Sequence, residues 1–204
     1  MKTLLLHVCC GPCSLMPLVR LRDEGFAVTA YFFNPNIHPQ DEYLRRRDAM
    51  HQVSERLDVP VLWEPETPEG AVNPAAWVKA LGKDRAEGVR CRGCYRTRME
   101  ATARLARAWG FDAFCTSLLY SRYQHHEDIA AEAETAARDA GVKFLYRDFR
   151  PWWQDGITMS KEMGLYRQKW CGCILSRDEA ELQRAERQAA RVAKASRMAG
   201  TKSL

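Results

Sequence analysis

Short apolar runs alternate with longer amphipathic stretches along most of this chain. The first run, Leu4 to Val8, precedes a stretch with helical spacing of its leucines, Ser14 to Glu24, which Gly25 ends. Phe26 to Phe33 is the next apolar run. A run of this length between turn residues predicts a buried strand, and apolar residues three and four positions apart predict a helix. The chain therefore begins as strand, helix and strand.

The same alternation continues to about residue 150. Further strands are predicted at 59–63, 111–119 and 142–146, and further helices at 41–57, 74–81, 95–109 and 129–140. Strands that alternate with helices form a mainly parallel sheet with right-handed crossovers and helices on both faces. The pattern thus predicts a Rossmann-like α/β fold with five strands.

The last quarter departs from this alternation. Pro151 to Trp170 is an aromatic, partly helical segment, and a long helix that is acidic early and basic late is predicted from Ser176. We expect the chain to fray from Gly200. The predicted organisation is a single α/β catalytic domain, 1–175, followed by a basic helix and tail, 176–204.

Two predictions concern the inner faces of these elements. Met99, Ala103, Ala106 and Trp109 share one side of the helix predicted at 95–109, with arginines on the other side. Cys115, in the middle of the fourth strand, is predicted to be a small core residue.

Composition fits one folded domain. The 204 residues are 46% hydrophobic, enough for one sizeable core, and only Met1-Lys2-Thr3 precede the first strand. The five apolar or near-apolar residues that follow are too few for a signal peptide and far too few for a membrane span, so we expect a cytoplasmic protein without membrane association.

The eight cysteines fall into groups that do not suit a disulfide framework. They stand at 9, 10 and 13, at 91 and 94, and at 171 and 173, with Cys115 alone. In a reducing compartment such grouping indicates metal or redox chemistry.

Cys9, Cys10 and Cys13 follow the first strand directly. The carboxyl end of a parallel strand is where ligands bind in open α/β sheets, and Ser14 is expected to cap the next helix. The alternative is a nucleotide-binding turn with incidental cysteines. The spaced glycines of such turns are missing here, which favours a thiol site.

Cys91 and Cys94 form a Cys-x-x-Cys pair. We expect the third strand to lie beside the first and a helix to open at Cys94, so that its dipole, Arg90 and Arg92 stabilise thiolates near the first turn. With Cys9, Cys10 and Cys13 the pair makes five thiols, one more than a structural zinc takes. An iron-sulfur cluster with a spare thiolate, or a cluster beside a second metal, accounts for five.

Cys171-Gly172-Cys173 is a third kind of thiol motif. Glycine lets the chain bend enough for a strained disulfide, and strained disulfides are the redox-active ones. A cycling dithiol is the preferred interpretation; further metal ligation and inert packing are the alternatives.

A basic segment surrounds the Cys-x-x-Cys pair. Lys83 to Arg107 holds eight basic and three acidic residues, a net charge equal to the +5 of the whole chain. This predicts a phosphate-rich partner, unless the segment is only a solvated face. The residues predicted to contact nucleic acid are Arg90, Arg92, Arg96, Arg98, Tyr166, Arg167 and Gln168. Asn34, Asn36 and His38, at the end of the second strand, are either ligand groups or turn residues.

Five motifs between about Leu4 and Ser176 together resemble those of the QueH family of epoxyqueuosine reductases. In order they are Leu-Leu-His-Val-Cys-Cys-Gly-Pro-Cys-Ser, Phe-Asn-Pro-Asn-Ile-His-Pro, Arg-Cys-Arg-Gly-Cys-Tyr-Arg-Thr-Arg, Asp-Phe-Arg and Tyr-Arg-Gln-Lys-Trp-Cys-Gly-Cys. The resemblance implies a fold related to the adenine nucleotide alpha-hydrolases, without their nucleotide loop. It also implies the last step of queuosine biosynthesis, in which an epoxide on the modified wobble base of tRNA is reduced to an alkene.

The resemblance further implies the cofactors and partners. A 4Fe-4S cluster falls by motif on Cys9, Cys10, Cys91 and Cys94, and a redox-active pair falls on Cys171 and Cys173. Cys13 stands where aspartate is expected in part of the family; if that position ligates a second, mononuclear iron or other divalent metal, thiolate replaces carboxylate here. The implied partners are tRNA carrying epoxyqueuosine and an external electron donor.

Two other classes of function use the same residues. An iron-sulfur-dependent tRNA thiolation or other sulfur-transfer enzyme would put sulfur into its product. A non-redox metal-binding RNA module would hold metal and RNA without turnover.

Overall fold

The computed structural model describes residues 1–63, 77–79, 82 and 86–200, with side chains up to Arg191. Its strands are β1 Lys2–Val8, β2 Phe26–Phe32, β3 Val61–Trp63, β4 Ala113–Thr116 and β5 Lys143–Phe144. Its longer helices are α1 Gly11–Asp23, α2 Gln40–Leu57, α3 Glu87–Ala108, α4 His126–Ala140, α5 Trp153–Glu162 and α6 Ile174–Gly200. Short 3-10 turns cover Ser117–Tyr120 and Arg150–Trp152. The loop at 64–70, most of the helix predicted at 74–81 and the predicted fraying lie outside the described residues.

All five strands join one sheet, in the order β3-β2-β1-β4-β5, and every pairing is parallel. The predicted α/β fold class is confirmed. The prediction that the third strand lies beside the first is wrong, because β3 pairs with β2 and β4 occupies the other side of β1. The crossover through α3 therefore carries the chain from one outer strand, past β1, to the opposite half of the sheet.

Strand β1 lies at the centre and is buried on both faces. Leu4, Leu5 and Leu6 are inaccessible to solvent, which explains a continuous apolar run rather than alternation. His7 links β1 to β4 and to the residue after β2: its Nδ1 lies 3.0 Å from the Thr116 hydroxyl and its Nε2 lies 3.1 Å from the Phe33 carbonyl. Burial lowers the pKa of His7 to about 3, so the ring is a neutral structural element.

Helix α1 begins earlier than the sequence pattern indicated. Cys10 is its N-cap and Pro12 lies in its first turn, where proline's fixed φ suits a helix start. Ser14 is consequently inside the helix and is not its cap; its hydroxyl donates to the Gly11 carbonyl at 2.7 Å. Packing requires glycine at position 11, since a Cβ there would lie 2.3 Å from the Ala49 carbonyl oxygen of α2.

Other boundaries shift for similar local reasons. The fourth strand ends at Thr116, whose side chain accepts a hydrogen bond from the Leu118 amide and starts a 3-10 turn. Trp109 is expected to face inward but is 63% exposed, because α3 ends at Ala108 and Trp109 no longer follows the helix's inner face. Met99, Ala103, Ala106 and Cys115 are buried as predicted.

No described helix is both long and apolar enough to span a membrane.

Candidate metal and thiol site

Three buried thiols lie together at the carboxyl end of β1. Only two residues separate β1 from α1, so Cys9 and Cys10 fall in the turn and Cys13 in the first helical turn. The three Sγ atoms lie within 4.8 Å of one another, and no residue of the trio is more than 8% exposed. Within the described part of the chain this is the one group of three or more ligand side chains with metal-site spacing. Soft thiolates in a buried pocket suit iron or zinc.

The trio is arranged to carry negative charge. The pKa of Cys9 lies well below its ordinary value because the Cys10 and Cys13 thiols hydrogen-bond to its sulfur, with further help from the charge of Arg46. Burial and the neighbouring thiols hold the pKa of Cys10 well above its ordinary value. The first proton lost therefore comes from Cys9.

Two side chains from distant segments contact the trio. The Cys9 amide donates to the Ser117 hydroxyl at 3.4 Å, which ties the turn to the end of β4. Gln168 Nε2 donates to Cys13 Sγ at 2.9 Å. The sequence predicts that Gln168 contacts nucleic acid; the structure places it against a thiol, half-buried.

Cys91 and Cys94 lie inside α3, not at its first residue. The helix begins at Glu87, so the prediction that a helix opens at Cys94 is wrong. Local positive charge comes from Arg90 at Cys91, as expected, and from Arg98 at Cys94, where the Arg98 Nη2 donates to Cys94 Sγ at 3.1 Å. Burial, together with the charges of Cys171 and Cys173, raises the pKa of both cysteines to about 12.

The Cys-Gly-Cys loop is thus close enough to the Cys-x-x-Cys pair for the charges of the two motifs to interact. Arg98 links the groups further, because its charge is felt by Cys9 as well as by Cys94 and Cys171. Cys91 and Cys94 are nevertheless not within the 4.8 Å group that Cys9, Cys10 and Cys13 form. The structure thus brings all three cysteine motifs to one edge of the sheet, with the buried Arg98 guanidinium among them.

The Cys-Gly-Cys loop has an unusual backbone. Gly172 has a φ of 114°, which only glycine adopts readily, and its carbonyl accepts from the His38 amide at 2.8 Å. Both cysteines are free thiols; Cys171 is half-buried and Cys173 is buried. Cys171 Sγ lies 2.8 Å from the Ser176 hydroxyl, which also hydrogen-bonds the Cys173 carbonyl.

A buried arginine holds this loop in place. Arg46, 1% exposed, donates to the carbonyls of Trp170 at 2.9 Å and Cys171 at 3.1 Å. Its Nε donates to the Glu42 carboxylate at 2.7 Å, and the Tyr166 hydroxyl donates to the other Glu42 oxygen. Glu42 is inaccessible to solvent. We call Glu42, Arg46 and Tyr166 the loop clamp.

Sequence reasoning missed Glu42, Arg46 and Ser117. Glu42 and Arg46 stand four residues apart, the spacing of an ordinary surface ion pair. Only the tertiary contact with Trp170 and Cys171, 124 and 125 residues away, makes them part of the site.

The predicted phosphate-binding arginines divide into two kinds. Arg98 is 2% and Arg90 6% exposed, and Arg90 pairs with Glu179 of α6. Burial thus removes these two from the predicted surface.

The other two arginines lie at the surface. Arg92 and Arg96 are 56% exposed, and Arg96 Nε pairs with Glu132 at 2.9 Å. Of the other predicted contacts, Arg167 is exposed, whereas Tyr166 is partly buried in the loop clamp.

Comparison with known proteins shows which family has these cysteine motifs. The family model for QueH, epoxyqueuosine reductase, matches residues 4–179, which include all seven cysteines of the site. The chain belongs to the QueH family. It is therefore an enzyme, an oxidoreductase of the epoxyqueuosine reductase class.

QueH relatives match nearly the whole chain. Epoxyqueuosine reductase QueH of Thermotoga maritima is 37% identical over 191 residues, 91% of this chain and 96% of that protein. The Dehalococcoides mccartyi QueH is 36% identical over 176 residues, 86% of this chain and 93% of that protein. Among solved structures, a predicted subunit of tRNA methyltransferase from Methanocaldococcus jannaschii shares the fold, with a TM-score of 0.52 and 10% identity over 79% of this chain and 75% of that one.

Proposed function

We propose that this protein reduces the epoxide of epoxyqueuosine at the wobble position of tRNA to an alkene, which yields queuosine. The observation that carries the proposal is the cysteine arrangement: three buried thiols within 4.8 Å, with two further cysteine pairs at the same sheet edge. Membership of the QueH family supplies the reaction class.

The donor set fits an iron-sulfur cofactor. Thiolate sulfur is the ligand type of such clusters, and five thiols exceed a structural zinc site. In the proposed assignment Cys9, Cys10, Cys91 and Cys94 hold a 4Fe-4S cluster, and Cys13 is available to a second, mononuclear iron or other divalent metal. Bound metal of this kind supplies single electrons and Lewis acidity toward an oxygen atom.

The protein's own groups prepare this donor set. Arg46 and Arg98 bring positive charge to buried thiols and so favour thiolates. Gln168 fixes the Cys13 sulfur by its 2.9 Å hydrogen bond. The pocket is closed to bulk water at Cys9, Cys10 and Cys13, which protects reduced sulfur from side reactions.

The Cys171 and Cys173 pair is assigned as the two-electron reductant. Converting the epoxide to an alkene takes two electrons and two protons and releases one water. Two thiols that become one disulfide release the same two electrons and two protons, so the step balances. An external reductant then returns the disulfide to the dithiol before the next turnover. The partly exposed Cys171 is the thiol of the pair that such a reductant reaches.

Substitution of Cys91 tests the cluster assignment. Cys91→Ser, purified without oxygen, should lose iron, the brown absorbance near about 400 nm expected of iron-sulfur charge transfer, and activity together. Cys115→Ser is the matched control, because Cys115 is equally a cysteine but lies in the core of β4 away from the site. Full iron content in Cys91→Ser would contradict the assignment.

Substitution of the Cys-Gly-Cys pair tests the dithiol. Cys171→Ala and Cys173→Ala should keep their iron and bind tRNA, yet fail to complete multiple turnovers. Mass analysis of the RNA product also separates reduction, a loss of oxygen, from sulfur insertion. Loss of iron would make the pair metal ligands, and unimpaired steady-state turnover would make it structural.

A further inference from the structure

Helix α6 starts at the redox loop and is fixed there. The Arg177 amide donates to the Cys173 carbonyl at 3.1 Å, and Ser176 contacts Cys171. The buried Arg90 pairs with Glu179 in the second turn. The direction in which α6 leaves the protein is therefore set by contacts with α3 and with the Cys-Gly-Cys loop.

Beyond this anchor α6 runs out into solvent. Every side chain from Ala185 to Arg191 is exposed, and Leu182 is 63% exposed. Tertiary packing normally stabilises long helices. This helix relies instead on its composition, which is rich in alanine, glutamate and arginine, all strong helix formers.

The outer part of α6 carries basic residues on one side. Arg184, Arg187 and Arg191 are spaced three and four residues apart, so they neighbour one another along the helix. Lys194 and Arg197 continue the spacing in the sequence, and between Arg184 and Gly200 the only acidic residue is Glu186. We call Arg184, Arg187 and Arg191 the basic stripe.

Among the described residues, the basic stripe has no acidic partner. No carboxylate of the described residues lies within ion-pair distance of Arg184, Arg187 or Arg191. Like charges at this spacing weaken a helix by about 0.2–0.5 kcal/mol per pair. A helix that projects from the protein and retains such a stripe is suited to an external polyanion.

We propose that the basic stripe binds the phosphate backbone of the substrate tRNA, beyond the nucleotide that enters the site. The proposal rests on the proposed function, which puts the wobble base at the redox loop. At 1.5 Å per residue the stripe lies about 15 to 26 Å along α6 from its start at that loop. RNA that continues from the bound base along this direction meets three guanidinium groups in a row.

The basic stripe lies beyond the residues that the QueH family model matches. That match ends at residue 179, five residues before Arg184. The buried Arg90, predicted from sequence to contact phosphate, serves here to orient α6. RNA is favoured over a lipid surface because, from Leu182 to Arg191, the helix offers only Leu182 and alanines as apolar residues and no aromatic residue, a weak membrane anchor.

A charge-matched pair of triple variants tests the proposal. The test variant is Arg184→Gln/Arg187→Gln/Arg191→Gln. The control is Arg56→Gln/Arg104→Gln/Arg107→Gln, which removes the same charge from exposed positions near the ends of α2 and α3. Those helix ends lie at the opposite edge of the sheet from the cysteines, because crossover helices run antiparallel to the strands. Circular dichroism and iron content should be unchanged in both.

Binding to full-length tRNA is measured by anisotropy across a salt series. Removal of one arginine–phosphate interaction should reduce the slope of log K against log salt by roughly one unit, so the test variant's slope should fall by about two to three units and its binding should weaken at least about tenfold at 0.1 M salt. The control variant should keep the wild-type slope. Equal slopes in the two variants would overturn the proposal while leaving wild-type turnover, and hence the proposed function, intact.

Two further measurements decide between partners. Vesicles of phosphatidylcholine with phosphatidylserine should not bind the wild-type protein; binding that the test variant loses, with tRNA affinity unchanged, would assign the stripe to a membrane. Sedimentation should show the same mass for wild type and test variant; dissociation of a dimer in the variant would assign it to a second copy. If wild-type protein neither binds nor converts tRNA, the proposed function itself fails.

Discussion

Removal of the Arg46 side chain should destabilise the protein and loosen the redox loop. Arg46→Met deletes the 2.7 Å bond to Glu42 and the bonds to the Trp170 and Cys171 carbonyls. It leaves a carboxylate with no solvent access and two carbonyls without their donor. Removing one partner of a buried ion pair costs about 3–5 kcal/mol, so we expect a loss of that size in the free energy of unfolding.

Arg45→Met is the matched control on the same helix. Arg45 is 43% exposed and pairs with Asp41 and Glu42 from the surface side, so its loss should cost at most about 1 kcal/mol. For a chain of this size a loss of about 3–5 kcal/mol corresponds to a melting temperature about 6 to 20 °C below that of the wild type for Arg46→Met. Glu42→Gln/Arg46→Met should recover part of the loss, because the buried carboxylate that has lost its Arg46 partner is gone.

The assay combines unfolding with the chemistry of the loop. Thermal unfolding of the purified, metal-loaded proteins gives the stability order, and the alkylation rate of Cys171 by iodoacetamide reports how firmly the loop is held. Arg46→Met should alkylate faster than Arg45→Met at temperatures where both are folded. Should Arg46→Met fail to fold, Arg46→Lys, which keeps the charge but loses the two-pronged geometry, takes its place. Stabilities within about 1 kcal/mol of each other and equal alkylation rates would refute the clamp.

Two further predictions follow from the same loop. Gly172→Ala should lower the free energy of unfolding by about 1–3 kcal/mol, because φ of Gly172 is 114° and the new Cβ would lie 2.9 Å from Ile37 Cγ1. Gly88→Ala, in open space on α3, is the control and should be neutral or stabilising. Equal effects of the two substitutions on the free energy of unfolding would contradict the argument. Burial lowers the pKa of His38 to about 4 in the folded protein, whereas the unfolded chain keeps a pKa of about 6.5. Between pH 6.5 and pH 4 the unfolded chain therefore binds a proton that the folded protein does not, and the free energy of unfolding should fall by up to about 3 kcal/mol over this range. His38→Leu should flatten this part of the stability-pH curve, and an unaltered acid limb would show that other groups cause it.

The fold was readable from sequence because each strand of a parallel sheet is a short apolar run. Such runs at Leu4 to Val8 and Phe26 to Phe33 predict two of the strands. Strand order was not readable, because hydrophobicity does not say which neighbours pair. The third strand was therefore placed beside β1, where β4 lies.

The site was predictable as far as it depends on chemically distinctive residues. Cysteines are rare and grouped, so their convergence at one sheet edge could be inferred from strand ends. Arginines are common and adaptable: Arg98 and Arg90 look like surface charges in the sequence, yet tertiary packing buries both beside sulfur or an acidic partner. The burial of Glu42 and Arg46 likewise depends on contacts more than 120 residues away.

The central position of β1 has a consequence for how the protein is made. One side of β1 is paired as soon as β2 is synthesised, but its other side waits for β4, 109 residues later in the chain. At about 5–20 residues per second, that edge stays open for roughly 5 to 22 s on the ribosome. During this interval the nascent chain exposes an apolar strand and, next to it, the three reactive thiols of Cys9, Cys10 and Cys13. This topology therefore makes the nascent chain sensitive to aggregation and to thiol oxidation during translation.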